Sequence, residues 1–195
     1  AGRERAGAPP RAAVQLNLGN ALMVLGRTEE GVLRYERALD LEPDNAAALT
    51  NLGVALRARG ETERAVGIYR RVLDADPGNA VAHYELGQCL AKQGRGRQAS
   101  ASYRAAIQAD PNLLAARIDL ADMLLEDGDL DAAIREYRAA LALDDDNTHI
   151  RNNLGAALLS NGRVAEAIEE FRAVLRRVPD DPDAAGNLRE ALRQQ

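Results

Sequence analysis

The 195-residue chain has no tryptophan, one phenylalanine, one cysteine and two histidines. A single cysteine, Cys89, excludes an internal disulfide. Aromatic residues make up 3% of the chain, and acidic side chains outnumber basic ones 30 to 25. That balance lacks the basic, ring-bearing footprint of a nucleic-acid binder. No apolar run approaches the ~18 residues of a membrane-spanning helix, so no membrane insertion is expected. The first residues, AGRERAGAPP, contain neither an initiator Met nor the apolar core of a signal peptide. They suggest a processed chain or a fragment of a longer protein. The expected location is cytoplasmic, or periplasmic or envelope-associated if a signal or anchor has been removed. Lysine occurs once, at Lys92, and the arginine dominance reads as codon bias. There is no phosphate loop, nucleophile elbow or dinucleotide motif, so neither an enzyme nor a cofactor site is expected.

What the chain does contain is repetition. NLGNALMVLG begins at Asn17, NLGVALRARG at Asn51 and NLGAALLSNG at Asn153. The first two are 34 residues apart and the third lies three periods further on; weaker copies begin at Glu85 and Asp119. A fixed period of this length marks a stacked-repeat architecture. Four slots keep the register: Gly19, Gly53, Gly87, Ala121, Gly155; then Gly26, Gly60, Gly94, Gly128, Gly162; then Tyr35, Tyr69, Tyr103, Tyr137, Phe171; then Pro43, Pro77, Pro111, Asp145, Pro179. The units run 12–45, 46–79, 80–113, 114–147 and 148–181, with a leader at 1–11 and a closing helix at 182–195.

Within 46–79, Ala48, Leu49, Leu52, Gly53 and Leu56 recur at helical spacing. Gly60 ends that helix, Thr62 is placed to cap a second, and Asn79 to cap the next. The second helix buries Ala65, Val66, Ile68, Tyr69, Val72 and Leu73. Each unit therefore reads as helix–turn–helix, giving eleven helices and no strand. Gly53 costs about 1 kcal/mol relative to Ala inside a helix, so its slot reads as a close helix–helix contact. One pair cannot bury its apolar face alone, whereas a stack of pairs buries a continuous core. Asp145, in place of proline, is expected to loosen the turn between the fourth and fifth units.

Leu52, Gly53, Leu56, Ala65, Tyr69, Val72 and Pro77 resemble the signature of the tetratricopeptide repeat (TPR) family, and the match covers 12–181. The family's usual Trp is absent: Gln15, Leu49, His83, Arg117 and Arg151 stand in that slot. The resemblance implies an all-α, right-handed α-solenoid of five repeats plus a capping helix. It also implies a concave groove lined by the first helix of each pair, where a protein or peptide binds. Groove positions then include Asn17 and Asn20; Asn51 and Arg57; Tyr84, Glu85 and Gln88; Asp119, Asp122 and Glu126; Asn153; and Asn187.

One of these slots reads Asn17, Asn51, Glu85, Asp119, Asn153, Asn187. An Asn amide offers a donor and an acceptor together, and a similar ladder holds extended peptides in glycosyltransferase members of the family. Two readings stand: the ladder holds a peptide backbone, or it bonds only neighbouring helices. Glu85, Asp119, Asp122 and Glu126 are expected to give the centre of the groove a negative potential suited to a basic segment, with Tyr84 as an anchor. The alternative is a solvated face paired with arginines along the same helices. The carboxylate clamp of chaperone-tail binders maps onto Leu16, Asn20, Asn51, Val81 and Glu85; only the asparagines match and Glu85 would repel the tail.

A non-catalytic interaction scaffold is the first reading. A substrate-recruiting domain of a larger enzyme, such as a glycosyltransferase, is the second, and a self-associating scaffold the third. The last rests on Leu16, Met23 and Val24 in the first repeat, where Ala1 and Glu4 fill the preceding packing slots and leave little cover. At the other end, Leu188 and Leu192 are expected to continue the core stripe while Arg189, Glu190 and Arg193 face out. Cys89 reads as a small core residue, and His83 and His149 share no slot. The Asp127–Asp131 and Asp144–Asn147 clusters lack the ligand order of a calcium loop, and read as helix-capping turns; no metal is expected.

Overall fold

A computed structural model describes residues 11–195. The expected leader lies outside them except for Arg11, which opens the first helix. The described residues form eleven helices and no strand: α1 (Arg11–Val24), α2 (Thr28–Leu41), α3 (Ala46–Ala58), α4 (Thr62–Ala75), α5 (Ala80–Lys92), α6 (Gly96–Ala109), α7 (Leu114–Glu126), α8 (Leu130–Leu141), α9 (Thr148–Ser160), α10 (Val164–Arg177) and α11 (Pro182–Gln194). Two compact units divide at Ala99 and Ser100, within α6. In the first, α1 packs on α2 and α3 on α4, with α2 on α3 and α4 on α5 joining the pairs. In the second, the same order links α7 with α8, α8 with α9, α9 with α10 and α10 with α11. First helices of successive pairs also touch, as α1 on α3, α3 on α5 and α9 on α11. This is the helix–turn–helix solenoid class implied by the 34-residue period.

The turns inside the pairs follow from glycine. Gly26, Gly60, Gly94, Gly128 and Gly162 all have φ between 71° and 79°, where a Cβ costs roughly 1–2 kcal/mol. At each, the next N–H reaches back to a carbonyl five residues earlier, as Glu61 N donates to Leu56 O at 2.9 Å. That bond closes the helix end. Asn45, Asn79 and Asn147 cap the first helices of later pairs through their side chains, as do Asp129 for α8 and Asp181 for α11. Asp129 and Asn147, two members of the acidic clusters, thus act as capping residues. Thr62 does not cap: Glu61 holds that position, while the Thr62 hydroxyl donates to Gly60 O.

The aromatic slot forms the core. Tyr35, Tyr69, Tyr103, Tyr137 and Phe171 are all buried. The glycine slot faces these rings rather than another backbone. A Cβ on Gly19, Gly53 or Gly155 would lie 2.5, 2.7 or 2.5 Å from the ring of Tyr35, Tyr69 or Phe171. Glycine's absent side chain therefore lets the ring approach the first helix of its own pair closely.

The slot that lacks tryptophan holds a different device. The His83 ring Nε2 meets Pro77 O at 2.9 Å. Arg117 donates to Pro111 O, and Arg151 donates to Asp145 O at 2.7 Å. Arg117 and Arg151 also pair with Glu136 and Glu170, each 19 residues on. The side chain thus ties the turn between pairs to the helix that follows it. Before Asp145, α8 stops at Leu141, and Arg151 holds the Asp145 carbonyl.

Leu192 departs from expectation. It is 46% exposed, and α11 buries Ala184 and Ala191 instead.

Candidate functional site

The polar slots of the first helices are joined to the buried rings by hydrogen bonds. In residues 11–99, the Tyr35 hydroxyl donates to Asn20 Oδ1 at 2.9 Å, and Asn51 Nδ2 donates to the same oxygen at 2.8 Å. In residues 100–195, Asp122 Oδ1 accepts from the Tyr137 hydroxyl and, at 3.3 Å, from Asn153 Nδ2. Asn20 and Asp122 are three periods apart, as are Tyr35 and Tyr137, and Asn51 and Asn153. The two triads are one construction built twice. In the last pair, Phe171 has no hydroxyl and Ala156 occupies the Asn20 slot, so donor and acceptor are lost together.

Burial forces the direction of these bonds. Tyr35 is 2% exposed and Tyr137 fully buried, so each hydroxyl proton needs an internal acceptor. Burial first, and then the bond to Asp122, holds the Tyr137 proton well above the ordinary tyrosine range. Burial alone raises that of Tyr35. Both rings are therefore donors at neutral pH, and Asn20 must turn its oxygen inward.

The structure brings only some of the expected site residues together. Asn20 and Asn51 line one open depression of about 360 Å³ with Met23, Tyr35 and Val54. Asn17 is exposed and makes no side-chain hydrogen bond among the described residues. Gln88 Nε2 donates to the Tyr84 hydroxyl at 2.7 Å, and both are half-buried. Asn187 donates to Asn152 Oδ1 at 3.3 Å. Asp119 is half-buried and Glu126 exposed.

Glu85 is not the open acid expected of it. Its Oε2 lies 2.7 Å from Arg57 Nε and accepts from the Tyr69 hydroxyl at 3.2 Å. The Arg57 Nε makes an ion contact there without pointing its N–H along the line, and finds no hydrogen-bond acceptor. With its charge met by Arg57, Glu85 adds little to a negative surface. Asp122 and Glu126 carry no ion pair among the described residues. The negative character of the first-helix face thus belongs to residues 100–195.

Of the three residues marked for self-association, only Val24 stands open, at 88% exposed. Met23 is half-buried, its sulfur 2.8 Å from where a Cβ on Gly31 would be, and Leu16 is half-buried as well. The exposed apolar residues of α1 are Val14 and Leu18 beside Val24, with Leu25 just past its end. The register carried that signal: the later counterparts of Val14 and Leu18 include Ala48, Ala116, Leu52 and Leu120, all buried.

Cys89 is buried, and burial is the main reason its thiol is pushed up to about 11, with Glu85 adding to the rise and Arg57 opposing it. It is a core side chain with little thiolate at neutral pH. No helix among the described residues is long and apolar enough to cross a membrane.

No curated protein matches the chain significantly. Solved structures resemble it closely in fold. MamA has 21% identity over 85% of this chain and 90% of that one, with a TM-score of 0.80. MamA from Desulfovibrio magneticus RS-1 has 24% identity over 87% and 97%, with a TM-score of 0.78. YrrB, described as a TPR protein with an unusual peptide-binding site, has 22% identity over 91% of each chain, with a TM-score of 0.78. At these identities the likeness is one of fold. Sequence profiles for the tetratricopeptide repeat match residues 16–80 and 118–182, and a second such profile matches 56–118. Those matches span most of the chain and agree with the helix pairs, the glycine turns and the buried ring of each pair: the chain belongs to the tetratricopeptide repeat family.

Proposed function

We propose that this protein is a non-catalytic interaction scaffold whose first-helix face binds an extended peptide segment of a partner, one carrying a basic residue. The observation that carries the reading is the pair of triads, Tyr35–Asn20–Asn51 and Tyr137–Asp122–Asn153. In each, a buried hydroxyl and a neighbouring helix fix one polar side chain, so its outward groups are oriented before any ligand arrives. Pre-orientation lowers the ordering cost of binding. The carboxylates of Asp122 and Glu126, which make no ion pair among the described residues, favour a basic segment, and YrrB, of like fold, is described as having a peptide-binding site.

The test uses a fluorescein-labelled, acetylated and amidated decapeptide with two central arginines in a Gly/Ser background. Anisotropy should show binding that weakens as salt rises, and NMR should place the shifted amides on the first helices, around Asn51 and Asn153. Shifts confined to the second helices, or no binding at low salt, would overturn the reading.

Self-association is a second reading, favoured by Val14, Leu18 and Leu25 at 44%, 41% and 69% exposed. Beyond Arg11, α1 carries no charge to repel a second copy. Sedimentation equilibrium of the wild type against Leu18→Glu decides it: a monomer at all concentrations for both proteins refutes it.

A further inference from the structure

At the shared oxygen the two triads differ by one functional group; beside it, Asn153 Nδ2 also meets His149 Nε2 at 3.5 Å, where the first triad has Ala47. Both present an oxygen that accepts from a buried tyrosine 15 residues on and from an asparagine amide 31 residues on. In the first triad the side chain bearing that oxygen is Asn20; in the second it is Asp122. What remains on the outward side follows from the inventory of each group. Asn20 keeps its NH₂, two donors, and Asn51 keeps its Oδ1, an acceptor. Neither side chain has another partner among the described residues. Asp122 keeps Oδ2, an acceptor, and Asn153 keeps Oδ1, also an acceptor. Glu126, one turn further along α7, adds a carboxylate with no ion pair among the described residues.

We propose that the residue in this slot sets what each triad reads: Asn20 with Asn51 takes a neutral amide of the ligand, whereas Asp122 with Asn153 takes a cationic side chain, an arginine before a lysine. This rests on the peptide-binding reading above and adds its specificity. A donor beside an acceptor complements a peptide group, which offers C=O and N–H. Two acceptors beside a second carboxylate complement a planar guanidinium, which offers several donors and no acceptor. Tyr35 and Tyr137 act as positioning residues: by occupying one oxygen in each triad, they decide which atoms are left for the ligand. The first triad's depression, with Met23 and Val54 in its wall, also has room for an apolar group beside the amide.

The experiment uses the whole chain with two short probes, acetylated and amidated Gly-Arg-Gly and its citrulline counterpart. Citrulline keeps the shape of arginine and replaces the guanidinium with a neutral urea. The readout is the side-chain NH₂ cross-peak of Asn51 and of Asn153 in NMR titrations. At Asn153, the arginine tripeptide should bind roughly tenfold more tightly than the citrulline one, the margin of a charge-assisted over a neutral hydrogen bond. Asn51 should show no such preference. Asp122→Asn should bring the Asn153 ratio near one. Asn20→Asp, whose Oδ1 still accepts from Tyr35 and Asn51, should give Asn51 an arginine preference. Circular dichroism checks that both variants remain folded.

An arginine preference at Asn153 that survives Asp122→Asn, or is absent from the wild type, overturns the inference. If the decapeptide still shifts first-helix amides in that case, the peptide-binding reading stands and only its specificity falls. If no probe shifts these helices, both fall.

Discussion

Replacing Tyr137 by Phe removes one oxygen and leaves the ring in place. Tyr137 is fully buried, and its hydroxyl donates to the Asp122 carboxylate. The ring keeps its contact with α7, so no cavity opens and the cost is that of the hydrogen bond. A bond to a charged acceptor contributes about 1.5–3 kcal/mol, and a neutral one about 0.5–1.5. Asp122 is half-buried, so water can take up part of its lost bond, which places Tyr137→Phe near the lower end of the charged range. Tyr35→Phe, whose acceptor is the neutral Asn20, should cost less. The pH dependence has a definite sign. Burial, then the Asp122 bond, raises the folded-state pKa of Tyr137 above its unfolded value, which is about 10. Its contribution is fully present below pH ~10 and is lost as pH rises toward the folded pKa, because the unfolded chain ionises first. Urea unfolding followed by circular dichroism, from neutral pH to above pH ~10, measures both effects. Amide hydrogen exchange in α7 to α9 reports the local loss, since repeat stacks can open in parts. Tyr137→Phe should be less stable at neutral pH and lose less stability on going alkaline. Equal costs at the two tyrosines, or an alkaline loss unchanged by Tyr137→Phe, would refute the triad as described.

The glycines supply a paired prediction. Gly53→Val should destabilise by roughly 1–3 kcal/mol through overpacking, since a Cβ there would lie 2.7 Å from Tyr69. Gly67→Ala, inside α4 with nothing within 4 Å of its Cβ, should stabilise by about 0.4–1 kcal/mol; thermal melts of the two variants should move in opposite directions. Cys89, buried with its thiol pushed up to about 11, should resist a thiol reagent such as dithiobis(nitrobenzoate) near pH 8 in the folded protein and react at once in urea. Rapid labelling of the native protein would show that the pair around Cys89 opens far more readily than its packing implies.

Much of this protein is local, and local features are visible in a sequence. The 34-residue period, the glycine ending each first helix and the asparagines capping α3, α5 and α9 act within a few residues, so their spacing placed the eleven helices of the described residues. The buried ring of each pair followed from the same register. The fate of the polar slots did not. Asn51 reaches Asn20 across 31 residues, Glu85 meets Arg57 across 28, and Tyr137 meets Asp122 across 15. Each partner lies on a different helix, and whether two side chains meet depends on how those helices pack, which no spacing along one helix encodes. For that reason Glu85 looked like an open acid and was closed by an arginine. Leu192 looked like core and stayed exposed, while Ala184 and Ala191 are the residues α11 buries. Asn20 and Asp122, unremarked as a pair in the sequence, became counterparts once the same buried hydroxyl was found behind each: sequence determines the repeat, and packing decides which polar atoms of each repeat are left to meet a partner.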